Sequence, residues 1–382
     1  MKVLFLTNVD LVAFGIAETL NHLQPALARL GIEAVTYSSD PTARAGRMPC
    51  GGLCVHGPLP KPRFFASSAD VRPLRQVCAE HAIAVVHCHG AYRAGWAARL
   101  LKRGAKVPYV VTSHGDLNRS ASARARRFWV ERRLRAILTE ADAVTHISQF
   151  IARNAAEVAA VPGVMIPNGI DLPWWRTPTT PAAGNYVLAL GRLLPTKGFW
   201  ILLDALAAAT RQGLALNLVL GGEGEDRDAL VTRTRQLGLT LCASQDELAR
   251  TPTGGVYFAG LVAGERKRAL FAGATGVAFP SQPESPEAAP IVLLEAFAAG
   301  KMLLASDLPC VREVVTPEAG VLVPPCDVAA WTDALARLVG DVEGRKRIEA
   351  RNARAAERYG WDEIAAQYAA VYRRVVTKRQ AA

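Results

Sequence analysis

The sequence predicts an α/β protein built from two Rossmann-like domains, each a parallel sheet flanked by helices. Three observations carry that expectation. Short apolar runs rich in β-branched residues alternate with longer helical patterns; the alternation halts at a Pro-, Thr- and Gly-rich stretch and then restarts; and 382 residues exceed what one core of roughly 250 to 300 residues fills.

In chain order the first half reads as KVLFLTN, a helix from about Ile16 to Leu30, EAVTYS, a helix around Val71 to His81, AVVHCH, a helix from Tyr92 to Arg103, YVVTSH and AVTHIS. The linker falls at about 171 to 185. The second half reads as YVLALG, a helix over Ile201 to Gln212, LNLVLGG, a helix near Arg227 to Leu237, GVYFAG, GVAFP, a helix beginning near Pro290, MLLAS and VLVPP. These patterns divide the chain into two domains, residues 1–172 and 173–360. A last helix over 361–382, with apolar residues at helical spacing, is expected to pack back on the first domain.

Composition narrows the function classes. The opening apolar run meets Asn8 and Asp10 at once and reads as a buried strand, not a secretion signal. No stretch approaches the roughly 20 apolar residues of a membrane span. The seven cysteines are scattered and show no zinc-site spacing, which fits a reduced cytoplasm. The net charge of +11 is uneven: residues 1–172 hold 21 Lys and Arg against 12 Asp and Glu. Much of the excess lies in one basic helical segment, where Arg119, Arg124, Arg126, Arg127, Arg132, Arg133 and Arg135 surround Phe128 and Trp129. Two readings stay open for it, a solvated helix face or a surface for anionic lipid or a phosphate-bearing acceptor. No nucleic-acid-binding signature accompanies the charge, so nucleic acid is not an expected partner.

Ligands of open parallel sheets sit beyond the carboxyl ends of the strands, so residues just after strands carry the chemistry. After YVLALG come Arg192 and Lys197, two cations suited to a diphosphate, with Gly191 and Gly198 allowing close backbone approach. The segment PSQPESPEAAPIVLLEAFAAGK delivers Glu287 to a helix start, with Pro290 suited to its first turn. Near Ala288 and Ala289, N–H groups and the helix dipole favour a phosphate. Glu295 lies about 7.5 Å further along the axis, roughly the step from a phosphate to a ribose. Among Ile, Val, Leu and Phe, it needs hydrogen-bond donors such as ribose hydroxyls.

In the first half, His114 ends a strand and is placed to meet a sugar, while His87 and His89 take a structural or substrate-edge role. Gly15, before a helix start, suits phosphate or acceptor. LVLGGEGED fails the dinucleotide fingerprint, because Arg227 stands where a third Gly or Ala is required. Asp226 and Asp228 fall at a helix start, where acids are favoured in any case, so no metal is expected.

With these residues in view, the chain closely resembles the retaining glycosyltransferases of family four, of GT-B fold. The resemblance is carried by FGIAETL, THISQFIARN, PNGID, LGRLLPTKG, LVLGGEGED, VYFAGLV and the Glu287–Glu295 segment. It implies two domains facing a central cleft and a nucleotide sugar as donor, a UDP-sugar first and a GDP-sugar next. It implies a glycan or lipid-linked acceptor of envelope polysaccharide or glycolipid synthesis, with no cofactor and no metal. By resemblance Arg192 and Lys197 hold the diphosphate, Glu287 bonds donor-sugar hydroxyls, Glu295 bonds the ribose and His114 lies by the sugar. Gly222, Leu261 and Val262 meet the base. Two departures stand out: Phe14 replaces a usual Gly before Gly15, and Ala288-Ala289 replaces a Gly-Phe pair. Other readings are a nucleotide-sugar epimerase of the same fold and a membrane-surface protein with an inactive cleft.

Overall fold

The computed structural model describes residues 1–7, 16–39, 46–60, 68–115, 124–285 and 287–380, with side chains at 46, 47, 68, 69 and 124–127 left aside. Phe14, Gly15, Asp116 and Arg119 therefore lie outside the described residues, as do the side chains of Arg124, Arg126 and Arg127. The chain divides into two compact units. One comprises Met1–Gly169, Pro286–Ala289 and Tyr359–Ala382; the other comprises Ile170–Ser285 and Pro290–Arg358.

The first unit runs β1 (Lys2–Thr7), α1 (Ile16–Arg29), β2 (Glu33–Ser38), β3 (Gly46–Arg47), β4 (Leu53–His56), α2 (Arg72–Glu80), β5 (Val85–His89), α3 (Arg93–Ala105), β6 (Tyr109–Ser113), α4 (Arg124–Glu140), β7 (Ala143–His146), α5 (Gln149–Val158) and β8 (Gly163–Met165). Among the described residues these strands form an eight-stranded sheet in the order β3-β4-β2-β1-β5-β6-β7-β8. All pairings are parallel except β3 with β4.

Side-chain alternation along β1 sorts the core onto the two faces of this sheet. Leu4 and Leu6 pack with α2, α3 and α4, while Val3 and Phe5 pack with α1 and with Ile364, Tyr368 and Tyr372 near the end of the chain. Burial on both faces is why β1, β5 and β6 read as continuous apolar runs.

The second unit continues with α6 (Leu172–Arg176), β9 (Tyr186–Leu190), α7 (Phe199–Arg211), β10 (Asn217–Gly221), α8 (Arg227–Gln236), β11 (Thr240–Cys242), α9 (Gln245–Arg250), β12 (Gly255–Gly260), α10 (Gly264–Gly273), β13 (Gly276–Phe279), α11 (Ile291–Ala298), β14 (Leu303–Ser306), β15 (Gly320–Val323), α12 (Val328–Gly340) and α13 (Val342–Ala355). Its seven strands are all parallel, in the order β11-β12-β10-β9-β13-β14-β15. Helices α7 and α12 cover one face around the buried Trp331. The last helix, α14 (Trp361–Gln380), belongs to the first unit and packs along α1.

One detail differs from the sequence reading. Pro290 is the N-cap of α11, one residue before the first helical turn, with φ −65° and ψ 116°. Its ring sets φ without having to give up a helical N–H. The stretch LCASQDELARTPTGG forms β11 at the sheet edge and α9, whose N-cap Ser244 accepts from the Glu247 N–H through its side chain.

Candidate active site

In the second unit β10 pairs on one side of β9 and β13 on the other, so the strand order reverses at β9. Loops part at such a point and leave room for a ligand. Backbone bonds join the loops after β9, β10 and β12: Gly191 N–H donates to Gly221 O (3.0 Å), Leu193 N–H to Glu223 O (2.9 Å) and Gly222 N–H to Gly260 O (2.7 Å). Gly222 has φ +134°, and a Cβ there would lie 1.8 Å from Gly191 O. Only glycine fits, so this position holds the loops together.

Lys197 ends a single 3₁₀ turn over Pro195–Lys197. Gly198, at φ +67°, then caps α7, and a Cβ there would meet Pro280 O and Gln282 Nε2 at 2.2 Å. Gln282 N–H donates to Thr196 O (2.8 Å), so the loop after β13 backs the turn that carries Lys197. Arg192 follows β9 by two residues and is exposed. Leu261, just past β12, is 55% exposed, while Val262 is buried.

Glu295 lies on α11 with its side chain 12% exposed, and its carboxylate accepts from Lys267 Nζ on α10. This pairing answers the desolvation cost of a carboxylate among apolar neighbours. Helix α10 is itself fixed: Arg266 donates to Tyr257 Oη (2.8 Å), and Arg268 donates to Trp174 O (2.7 Å) with its guanidinium 4.9 Å from the Trp174 ring centre. Lys267 escaped the sequence reading. The apolar surroundings of Glu295 signal the need for a donor but not which of many cations supplies it.

In the first unit the corresponding sheet edge carries three imidazoles. His87 and His89 project from the same face of β5 with ring centres 4.1 Å apart, and His114 follows β6. His87 Nδ1 bonds Tyr372 Oη (2.7 Å) and its Nε2 bonds Thr112 Oγ1 (2.7 Å). His89 Nδ1 bonds His114 Nε2 (3.1 Å). Burial, with repulsion from His114, lowers the pKa of His87 to about 3. Burial first, then His87 and His114, holds His89 well below the usual imidazole range. Burial alone lowers His114 to about 4. All three rings are neutral at pH 7. Among the described residues no group of three His, Cys, Asp or Glu is arranged to hold a metal ion.

Residues 287–289 join this edge. Ala288 O accepts from Ser148 Oγ (2.8 Å), which also caps α5, and Ala289 O accepts from Asn168 Nδ2 (3.1 Å). Ala288 is buried against Ile147 and Ile151, and a Cβ at Gly115 would lie 3.5 Å from that of Ala288. His114-Gly115 and Glu287-Ala288 are thus neighbours within one unit, with Glu287 half-buried. Arg192, Lys197, Pro290, Glu295, Gly222, Leu261 and Val262 all belong to the other unit. On α4, Phe128 is 60% and Trp129 40% exposed. Arg132 lies 6.0 Å from the Trp129 ring centre, and Arg133 donates to Tyr92 Oη (3.3 Å).

Comparison with known proteins matches residues 14–169 to the glycosyl transferase 4-like domain and residues 176–355 to the glycosyl transferases group 1. The phosphatidyl-myo-inositol mannosyltransferase of Mycobacterium leprae is 31% identical over 296 residues, covering 74% of this chain and 70% of the relative. Its Mycobacterium tuberculosis counterpart is 34% identical over 240 residues, covering 60% of this chain and 58% of the relative. Among solved structures, Anabaena HepE in complex with UDP and glucose superposes with a TM-score of 0.74 at 21% identity, covering 97% of this chain and 98% of that one. A glycosyltransferase from Rickettsia africae reaches 0.77 at 14% identity, covering 98% of each chain. The fold, the strand-end chemistry and these relatives agree: the chain belongs to the family-four glycosyltransferases, with two Rossmann-like units of GT-B type.

Proposed function

We propose that the protein transfers a hexose or N-acetylhexosamine from a nucleotide sugar, a UDP-sugar first and a GDP-sugar next, to a lipid-linked or glycan acceptor with retention of anomeric configuration. The observation that carries this reading is the pair of cations after β9, Arg192 and the Lys197 turn braced by Gln282, at the point where the strand order reverses. Arg192 and Lys197 neutralise the diphosphate as the anomeric C–O bond breaks, without a metal ion. The acceptor hydroxyl forms the new bond on the face the diphosphate leaves, and its proton passes to a departing phosphate oxygen. Glu287 and His114 hold the sugar, Ala288, Ala289 and Pro290 border the phosphates, and Gly15, outside the described residues, is a further phosphate contact on the sequence reading alone. Glu295 bonds the ribose, and Gly222, Leu261 and Val262 border the base. Positioning and charge then supply the catalysis, and no protein nucleophile is required.

The names of the mannosyltransferase relatives support a hexose and a lipid-linked acceptor, and the UDP bound by HepE supports UDP. The exposed aromatic residues of α4, flanked in the sequence by Arg124, Arg126, Arg127, Arg132 and Arg133, fit the anionic face of a membrane holding such an acceptor. No helix among the described residues is long and apolar enough to cross a membrane, and the protein would act at the cytoplasmic surface.

The test is calorimetric binding of UDP, GDP, ADP, dTDP and NAD without metal. One nucleoside diphosphate should bind, and Lys197→Ala should weaken it by about 10-fold to 100-fold. Binding of NAD alone, or of none, overturns the reading. Release of an epimerised sugar nucleotide with no acceptor consumed would assign the fold to epimerisation instead.

A further inference from the structure

We infer that His89 is a positioning residue that keeps the proton of His114 on Nδ1, so that His114 presents an N–H donor to an oxygen of the bound sugar nucleotide. The inference rests on the reading of His114 as part of the transfer site.

The geometry leaves few alternatives. A neutral imidazole has one donor and one acceptor nitrogen. Both nitrogens of His87 are taken, by Tyr372 and Thr112, and Thr112 Oγ1 is also bonded to Thr145 Oγ1. His87 therefore has nothing to offer His89, although their rings touch. His89 is fully buried, with the Phe5 ring set edge-on at 4.9 Å. Its Nδ1 meets His114 Nε2, and its Nε2 is enclosed with no partner among the described residues.

Two proton arrangements satisfy the Nδ1···Nε2 bond. If His114 donates, His89 must carry its own proton on Nε2, an enclosed N–H with no acceptor. If His89 donates, the enclosed Nε2 is a bare lone pair. A buried N–H without an acceptor is the rarer state, while an under-used acceptor is better tolerated. The second arrangement wins: His89 Nδ1–H donates to His114 Nε2, and the proton of His114 resides on Nδ1. His114 is half-buried, its ring held near-parallel to that of His89 at 24°, and Nδ1 is its remaining nitrogen. Neutral and protonated at Nδ1, His114 stabilises an electron-rich sugar or phosphate oxygen and is unsuited to removing a proton from one.

The experiment is long-range ¹H–¹⁵N NMR on the full chain labelled at histidine, with the His114 ring assigned by comparison with His114→Gln, together with donor kinetics. Wild type should show His114 protonated at Nδ1 and bare at Nε2. His89→Leu should lose that single tautomer and lower kcat by about 10-fold to 100-fold with little change in the KM for donor. His89→Asn, whose side-chain amide can supply a donor near the position of Nδ1, should restore both. A wild-type His114 protonated at Nε2, or His89→Leu with tautomer and kcat unchanged, overturns the inference. Should His89→Leu fail to fold, the wild-type spectrum decides alone. If wild type transfers no sugar, the transfer reading fails while the tautomer is still measured.

Discussion

The two units share a topology and differ in how they treat charge at the same edge of the sheet. All seven histidines fall within residues 1–146, and the second unit has none. Along β5 and just after β6 the first unit gathers imidazoles that burial keeps neutral, whereas after β9 the second presents the basic side chains Arg192 and Lys197. On the function proposed above, one sheet is fitted to uncharged hydroxyls and the other to a diphosphate. The lesson is that the fold sets where ligands sit and the residues just past each strand set which ligands those are.

The largest effect should come from the segment that completes the imidazole edge. Glu287→Ala is expected to lower transfer by about 100-fold to 1000-fold while nucleoside diphosphate binding, which the proposed reading assigns chiefly to Arg192, Lys197 and Glu295 of the other unit, changes little. Full activity in that variant would remove Glu287 from the site. Equal loss of both functions would break the division of labour.

Acid should separate the units next. His87 and His114 have folded pKa values near 3 and 4, below the usual 6.5, so the unfolded chain takes up protons first as pH falls. Their stabilisation is present above about pH 6.5 and is lost progressively down to about pH 4 or below. In the second unit Glu265, Asp307 and Glu318 are held low by hydrogen bonds, led by those from Thr179, Arg312 and Thr316 respectively, so their contribution is lost only under more acidic conditions. Between pH 7.5 and 5.5, opening of β5 and β6 should rise by about 10-fold per histidine relative to β9 and β10. Hydrogen exchange corrected for intrinsic rate measures this, and equal sensitivity of both sheets would contradict the shifts.

The smallest effect concerns α4. Arg132→Gln should weaken association with anionic vesicles by about 5-fold, on the order of 1 kcal/mol for one basic residue, and added salt should shrink the difference. Flotation unchanged by the substitution would leave α4 a solvated face.

Much of the fold is legible in the sequence because β1, β5, β6, β9 and β10 are buried on both faces and read as apolar runs. Strand β4 is harder to see, since Leu53 and His56 are exposed at the sheet margin, and β8 and β11 are only three residues long. Placing Arg192 after β9 and His114 after β6 needs only local pattern. Partners set by tertiary structure are not legible: Lys267 reaches Glu295 from 28 residues away, and Tyr372 reaches His87 from 285. Nothing in either stretch of sequence names the other.

That last bond bears on how the protein is made. The first unit needs α14, whose Trp361, Ile364, Tyr368 and Tyr372 fill the sheet face behind β1 and β5. A ribosome has therefore to deliver the chain through α14 before this unit can close its core. The second unit has all its own residues by Arg358. The part begun first is finished last, and a nascent chain halted before residue 361 would expose that apolar face to chaperones or to other unfinished copies.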